Sequence, residues 1–233
     1  MAERVAVVTA GGSGIGAAAA RALAGDGFRV AVLSSSGKGE ALGKELGGIG
    51  ITGSNQSDED LKRLVDRTMD RWGRIDTLVN SAGHGPRKSL LELGDSDWHK
   101  GMEVYFLGAV RPTRLVAPIM RRQKSGSIVN VSSTAGVEPN PAFPTSSVFR
   151  AGLAAFAKMF SDEHAADNVR MNNVLPGFVD NFPVKEEILA KIPMQRYGRV
   201  EEVAALIAFL ASDKAAYITG QNIRFDGGMT RSV

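Results

Sequence analysis

The 233-residue chain contains no cysteine, and aromatic residues are only 6% of it. Without cysteine there are no disulfides, no thiol nucleophiles and no thiolate metal sites. That composition fits a reducing cytoplasm, the location expected here. Only three histidines are present, and none lies with other ligand-type residues at metal-binding spacing, so no metal site is expected. No apolar run approaches the roughly 20 residues of a membrane span. No leader is expected, since a strand pattern begins by residue 5. Charges are dispersed and net only +3, and the one basic cluster, Arg121-Arg122-Gln123-Lys124, reads as a helix C-terminus, where cations offset the dipole. No nucleic-acid partner is expected. With no linker, repeat or low-complexity tract, the chain reads as one domain over residues 1–233.

The apolar content, 43%, is ample for a core. Short apolar runs alternate with helical patterns. Candidate strands are 5–9, 29–33, 49–51, 77–80, 127–132, 171–175 and 222–225, with helices at 17–24, 58–72, 97–120, 147–165 and 201–211. Ser57 followed by Asp60 resembles a capping box, with Asp in place of Glu or Gln. Buried strands separated by helices imply a doubly wound α/β Rossmann-type fold, a parallel sheet of about seven strands with helices on both faces. Ligands then bind beyond the C-terminal strand ends.

The first strand, Val5-Ala6-Val7-Val8, runs directly into Thr9-Ala10-Gly11-Gly12-Ser13-Gly14-Ile15-Gly16 and then an alanine-rich helix. Strand, glycine turn and helix form the context of a dinucleotide fingerprint. Glycine lets backbone N–H groups approach a pyrophosphate, and the helix N-terminus favours an anion.

These residues, with Asn80-Ser81-Ala82-Gly83, Gly126 to Ser133, Asn173-Val174-Leu175-Pro176-Gly177, Thr219-Gly220-Gln221 and Asp226-Gly227-Gly228, resemble the short-chain dehydrogenase/reductase family in order and spacing. Ala10 stands where that family usually has glycine. The resemblance implies a nicotinamide cofactor contacted at Ala10, Gly12, Ser13, Gly14, Ile15 and Gly16. It adds Ser34, Ser35 and Ser36 after the second strand, and Asn55 and Gln56 after the third. Asn80, Ala82 and Gly83 follow, then Arg150, Pro176, Gly177 and Val179. The second strand ends in Ser34-Ser35-Ser36-Gly37-Lys38, with no carboxylate before Glu40. An acid there would accept from a ribose 2′-hydroxyl and repel a 2′-phosphate, so NADP(H) is favoured over NAD(H).

The same resemblance exposes a second absence. The family's catalytic tyrosine falls at Ser146 and its lysine at Arg150, and neither tyrosine nor lysine occurs between 134 and 157. Ser133 occupies the active-site serine position, and Tyr105 stands where the family often has asparagine. Arginine can donate to ribose hydroxyls but stays charged and relays no proton. Serine is a poor terminal acid. The candidate replacements are Tyr105, a phenol beside Ser133, and His84, which titrates near neutrality. His99 and His164 read as surface residues.

Beyond Gly177 a short lid near residues 178–197 is expected, with Phe178, Phe182 and Ile188 lining an apolar pocket and Asn181 at a position where the family commonly has threonine. The family analogy implies a homotetramer or homodimer. The leading expectation is an NADP(H)-dependent oxidoreductase with a rearranged acid site, acting on a small carbonyl or alcohol. The alternatives are a catalytically silent, nucleotide-bound scaffold or sensor, and non-redox chemistry of the dehalogenase type. The dehalogenase reading requires the tyrosine kept and the glycine fingerprint lost, the reverse of what stands here.

Overall fold

Seven parallel strands form one sheet in the order β3-β2-β1-β4-β5-β6-β7. They are β1 (Val5–Thr9), β2 (Arg29–Ser34), β3 (Ile49–Thr52), β4 (Thr77–Asn80), β5 (Gly126–Val131), β6 (Val169–Pro176) and β7 (Asn222–Phe225). The computed structural model describes residues 3–232. The strands are mostly short; β1, β2 and β4 are buried almost throughout, as their mostly apolar sequences require, whereas the edge strand β7 is only part-buried. The order reverses between β1 and β4, which opens a crevice beyond their C-terminal ends.

Helices α1 (Gly14–Gly25), α2 (Lys38–Glu45) and α8 (Val200–Ala211) cover one face. There Ala19, Ala20 and Leu23 meet Val203, Ile207 and Leu210 over Val8 and Val174. Helices α3 (Asp58–Trp72), α5 (Gly108–Gln123) and α6 (Pro144–His164) cover the other, packing Leu61, Leu64, Val116, Met120 and Phe160 on Leu78 and Ile128. The remaining helices, α4 (Asp95–Met102) and α7 (Glu186–Leu189), flank the crevice end.

Three features differ from the sequence expectation. Helix α2 was not legible, because Gly39 and Gly43 weaken its pattern. Those glycines are what let it dock: a Cβ at Gly43 would lie 2.3 Å from Gly50 N, and one at Gly39 2.7 Å from the Ser34 Cβ. The long helix expected over 97–120 is interrupted: α4 passes through a π-helical turn, Glu103–Leu107, before α5 begins. Such turns rotate the residues that follow and recur at functional sites; this one carries Tyr105. The capping box is only half formed. Ser57 Oγ accepts from Asp60 N at 3.2 Å, but the Asp60 carboxylate accepts from Ser54 N at 2.8 Å and pairs with Arg63.

His164 also departs from its expected surface position. Its ring packs edge-on against Phe160 at 4.4 Å and its Nδ1 is buried without a partner among the described residues, whereas His99 is exposed.

An asparagine ladder crosses the last four strands in register, Asn80↔Asn130↔Asn173↔Asn222. Asn80 Nδ2 donates to Asn130 Oδ1, Asn130 Nδ2 to Asn173 Oδ1, and Asn173 Nδ2 to Asn222 Oδ1, each at 2.8 Å. The first three side chains are buried, and each Nδ2 is paired with the next Oδ1, leaving Asn80 Oδ1 without a partner among the described residues.

Candidate active site

The crevice at the strand reversal is a cleft of about 1200 Å³. One end is the turn after β1. Ala10 has a φ of 48° and Gly14, the first residue of α1, a φ of 52°, so the chain takes two left-handed turns on its way into the helix. Gly11 N donates to Leu33 O at 2.9 Å and ties the turn to β2. A Cβ at Gly12 would stand 2.2 Å from Ser34 Oγ, and one at Gly16 would stand 2.8 Å from Ala10 O. The turn is therefore a backbone cradle closed against β2 with no space for side chains. Ser13 caps α1 without a side-chain hydrogen bond, and no acid lies in the first turn. The free N–H groups and the dipole there face the cleft unopposed by negative charge.

Ala10, Gly12, Ser13, Gly14 and Ile15 line this end, whereas Gly16 is buried behind it as a packing residue. Ser34, Ser35 and Ser36 form the next wall with Lys38. Ser34 is buried, its Oγ 3.4 Å from that of Ser36. Asn55 and Gln56 also line the cleft. Asn55 Nδ2 donates to Ser81 O at 3.3 Å, and Gln56 Oε1 accepts from Lys100 at 2.7 Å. Ala82 and Gly83 reach the cleft from β4, as do Pro176, Gly177 and Val179 from β6. Asn80 does not. Its side chain is spent on the ladder inside the sheet, so any cofactor contact expected of Asn80 falls to the Ser81–Gly83 backbone that follows it.

At the centre stands Arg150, on α6, buried to 8% exposure. Its Nη1 donates to Val131 O at 2.8 Å, and its Nε is buried with no partner among the described residues. Burial pushes the guanidinium down to about 10, against the opposing charge of Tyr105. It is still a cation at neutral pH. Its Cζ lies 4.8 Å from the centre of the Tyr105 ring. The Tyr105 hydroxyl accepts from Gly85 N at 2.6 Å. The π-turn thus aims Tyr105 between the loop after β4 and α6.

Ser133 follows β5, and its Oγ accepts from Ala135 N at 3.2 Å, which leaves its own O–H free to donate. Ser146 lies in the first turn of α6, which starts at Pro144, earlier than its sequence pattern indicates. Both serines line the cleft with Tyr105, Arg150 and His84. The exposed His84 ring packs on Phe182 at 5.3 Å, and its Nδ1 lies 3.5 Å from Arg87 Nη2. Partial desolvation where the cleft wall covers the ring, then the nearby Arg87 and Arg150 charges, hold His84 below its usual value of 6.5. At neutral pH it is an uncharged imidazole.

The segment from Phe178 to Tyr197 leaves β6 and returns through the Val179–Gly198 bridge. Phe178, Asn181, Phe182 and Ile188 line the cleft from this side. Among the described residues no group of three or more His, Asp and Glu side chains is placed to hold a metal, and no helix is long and apolar enough to cross a membrane.

Residues 9–230 match a family model described as enoyl-(acyl carrier protein) reductase. The 3-oxoacyl-[acyl-carrier-protein] reductase FabG of Thermotoga maritima is 37% identical, covering 97% of both chains. That of Synechocystis is 39% identical over 97% of this chain and 96% of its own. The crystal structure of YwfH, an NADPH-dependent reductase involved in bacilysin biosynthesis, superposes with a TM-score of 0.93 at 28% identity, covering 99% of this chain and all of that one. The chain belongs to the short-chain dehydrogenase/reductase family. It is thereby an oxidoreductase of that class, and the Rossmann-type architecture read from the sequence is the one found.

Within this family frame, sequence reasoning overlooked Arg87, Lys185, Lys191 and Glu138, all of which line the cleft. They stand in three segments far apart in the chain, and no motif connects them. The one available signal was the placement of Arg87 three residues after His84.

Proposed function

We propose that the protein is an NADP(H)-dependent oxidoreductase that reduces a small carbonyl compound, or oxidises the corresponding alcohol, with Tyr105 as its acid–base group. The observation that carries this reading is that one cleft holds both the glycine cradle and the Ser133–Tyr105–Arg150 cluster. The residues fit a dinucleotide. The cradle excludes side chains by contact, and the buried Arg150 Nε has no internal partner, which suits a ribose hydroxyl. Ser35, Ser36 and Lys38 would hold a 2′-phosphate without an opposing acid. The NADPH dependence of YwfH agrees with that preference.

A bound nicotinamide cofactor supplies hydride chemistry at the carbonyl carbon. Ser133 donates its free O–H to the carbonyl oxygen, and Ser146 helps orient the substrate beside it. Tyr105 delivers a proton to that oxygen as charge develops there. A free phenol titrates near pH 10. The Gly85 N–H and the Arg150 cation both stabilise the phenolate left behind. His84 is a weaker candidate, because an uncharged imidazole has no surplus proton to give at neutral pH. The reading includes one domain over 1–233, a lid near 178–197, assembly as a homotetramer or homodimer, and action in the cytoplasm.

A silent nucleotide-binding scaffold is the second reading, favoured by Ser146 and Arg150 at the family's tyrosine and lysine positions. Calorimetric titration with NADPH and NADH, followed by NADPH oxidation against a carbonyl panel, separates them. Tighter NADPH binding with turnover is expected. Binding without any turnover moves the protein to the scaffold reading, and binding of neither nucleotide defeats both.

A further inference from the structure

The cleft has a charge imbalance that the chain as a whole lacks. Overall there are 28 Lys and Arg against 25 Asp and Glu. Among the described residues five cations line the cleft, Lys38, Arg87, Arg150, Lys185 and Lys191, against the one carboxylate of Glu138. Glu138 is already committed: its Oε1 accepts from the backbone N–H groups of Arg231 and Ser232, both at 2.5 Å. Lys38 lies beside the serine wall and Arg150 at the catalytic centre, so both are absorbed by the function proposed above. Arg87, Lys185 and Lys191 are not.

These three line the cleft from the loop after β4 and from the segment after β6, and all three side chains are exposed. Arg87 follows β4, and its guanidinium carbon stacks 4.8 Å from the centre of the Phe143 ring. Among the described residues no carboxylate lies within ion-pair distance of Arg87 or Lys191. Lys185 has only Glu187, at 3.9 Å, with both side chains exposed, a pair of little strength. Phe143, Phe182 and Ile188 supply apolar wall beside them. A guanidinium presents a planar fork suited to a bidentate carboxylate.

We infer that the substrate is a small oxo-carboxylate, whose own carboxylate is held by Arg87 with Lys185 and Lys191 while its carbonyl reaches Ser133 and Tyr105. The inference rests on the oxidoreductase reading for the carbonyl, but the charge imbalance is independent of it. A small neutral acyl thioester would bring no charge of its own to these three cations.

The test uses the full-length protein. NADPH binding is titrated first and alone, so that failure of the cofactor reading is seen separately. A series of oxo-carboxylates, each paired with its methyl ester, is then assayed with NADPH. The same pairs are titrated calorimetrically into NADP⁺-loaded protein. A 3-oxobutanoyl N-acetylcysteamine thioester serves as the neutral thioester. The acids are expected to bind and react at least about tenfold better than their esters, the range of a charge-assisted hydrogen bond. Added salt should narrow that margin. Arg87→Gln should bring the acid-to-ester ratio close to one by raising KM for the acid, with kcat less affected. Equal or better binding of the esters or the thioester, in protein that binds NADPH normally, would overturn the inference and leave the oxidoreductase reading standing.

Discussion

The Arg150 guanidinium lies 4.8 Å above the Tyr105 ring, and the Tyr105 hydroxyl accepts the Gly85 N–H at 2.6 Å. A cation and a backbone donor therefore converge on one phenol in a buried corner of the cleft. The two residues come from different helices, 45 positions apart by number, and the π-turn at Glu103–Leu107 sets the angle at which they meet. A group that passes a proton to substrate needs such neighbours beside its hydroxyl.

Removal of that phenol distinguishes the two candidate acids. Tyr105→Phe should lower kcat by roughly 100-fold or more, the range of a lost general acid, while the Kd for NADPH stays within about twofold, inside ordinary context effects. His84→Gln should leave kcat at neutral pH within a few-fold, because His84 is held below 6.5 and is uncharged there. Steady-state kinetics of both variants on one substrate decides it, and the reverse pattern would reassign the acid to His84.

The asparagine ladder is expected to be structural. In Asn130→Leu, Asn173 Oδ1 loses its donor, and Asn80 Nδ2 loses its 2.8 Å acceptor and keeps only Ala109 O and Thr113 Oγ1 at 3.4 Å. Each buried orphan costs about 1–3 kcal/mol. The loss should total about 2–4 kcal/mol, a fall in Tm of roughly 5–15 °C for a chain of this size. Differential scanning calorimetry of the variant measures it. A shift under about 2 °C would mean that water satisfies these groups.

Ala10 is a non-glycine residue at a φ of 48°. The left-handed conformation costs an L-residue about 1–2 kcal/mol, and glycine's extra chain entropy returns about 0.5–1 kcal/mol of that. Ala10→Gly should therefore stabilise the protein by up to about 1 kcal/mol in urea unfolding. Ala10→Val should destabilise it, since β-branching suits that conformation worst.

Glu202 accepts both Arg196 Nη groups at 2.8 Å and the Arg199 N–H at 2.9 Å, which together hold its carboxyl at about 2 in place of the ordinary 4.5. A carboxyl lowered in the folded state binds fewer protons than it does unfolded. Its contribution is present above about pH 4.5 and is lost as pH falls toward 2. Urea midpoints from pH 7 down to 2.5 should fall through that window. In Glu202→Gln the fall should be shallower and less sensitive to salt. An unchanged slope would remove Glu202 from the account.

Local chemistry made part of this molecule readable in one dimension. The short, mostly apolar runs at 5–9, 77–80 and 171–175 are strands because both faces of a parallel sheet are covered, and Gly11 to Gly16 is a cradle because Gly11, Gly12 and Gly16 leave no room for a Cβ. The empty tyrosine and lysine positions at Ser146 and Arg150 were equally plain, since they follow from register alone. Other features exist only once the chain is folded. Helix α2 is stabilised by glycine contacts with β3 that oppose its own propensity. The amide of Asn80 is consumed by Asn130, a residue 50 positions away, and so turns inward from the cleft. The phenol of Tyr105 meets Gly85 and Arg150, and Arg87 joins Lys185 and Lys191 around a cleft with one committed carboxylate. Such encounters depend on which strand ends the sheet order brings together. A sequence carries no local trace of them, because the forces involved act between side chains that only the tertiary fold makes neighbours.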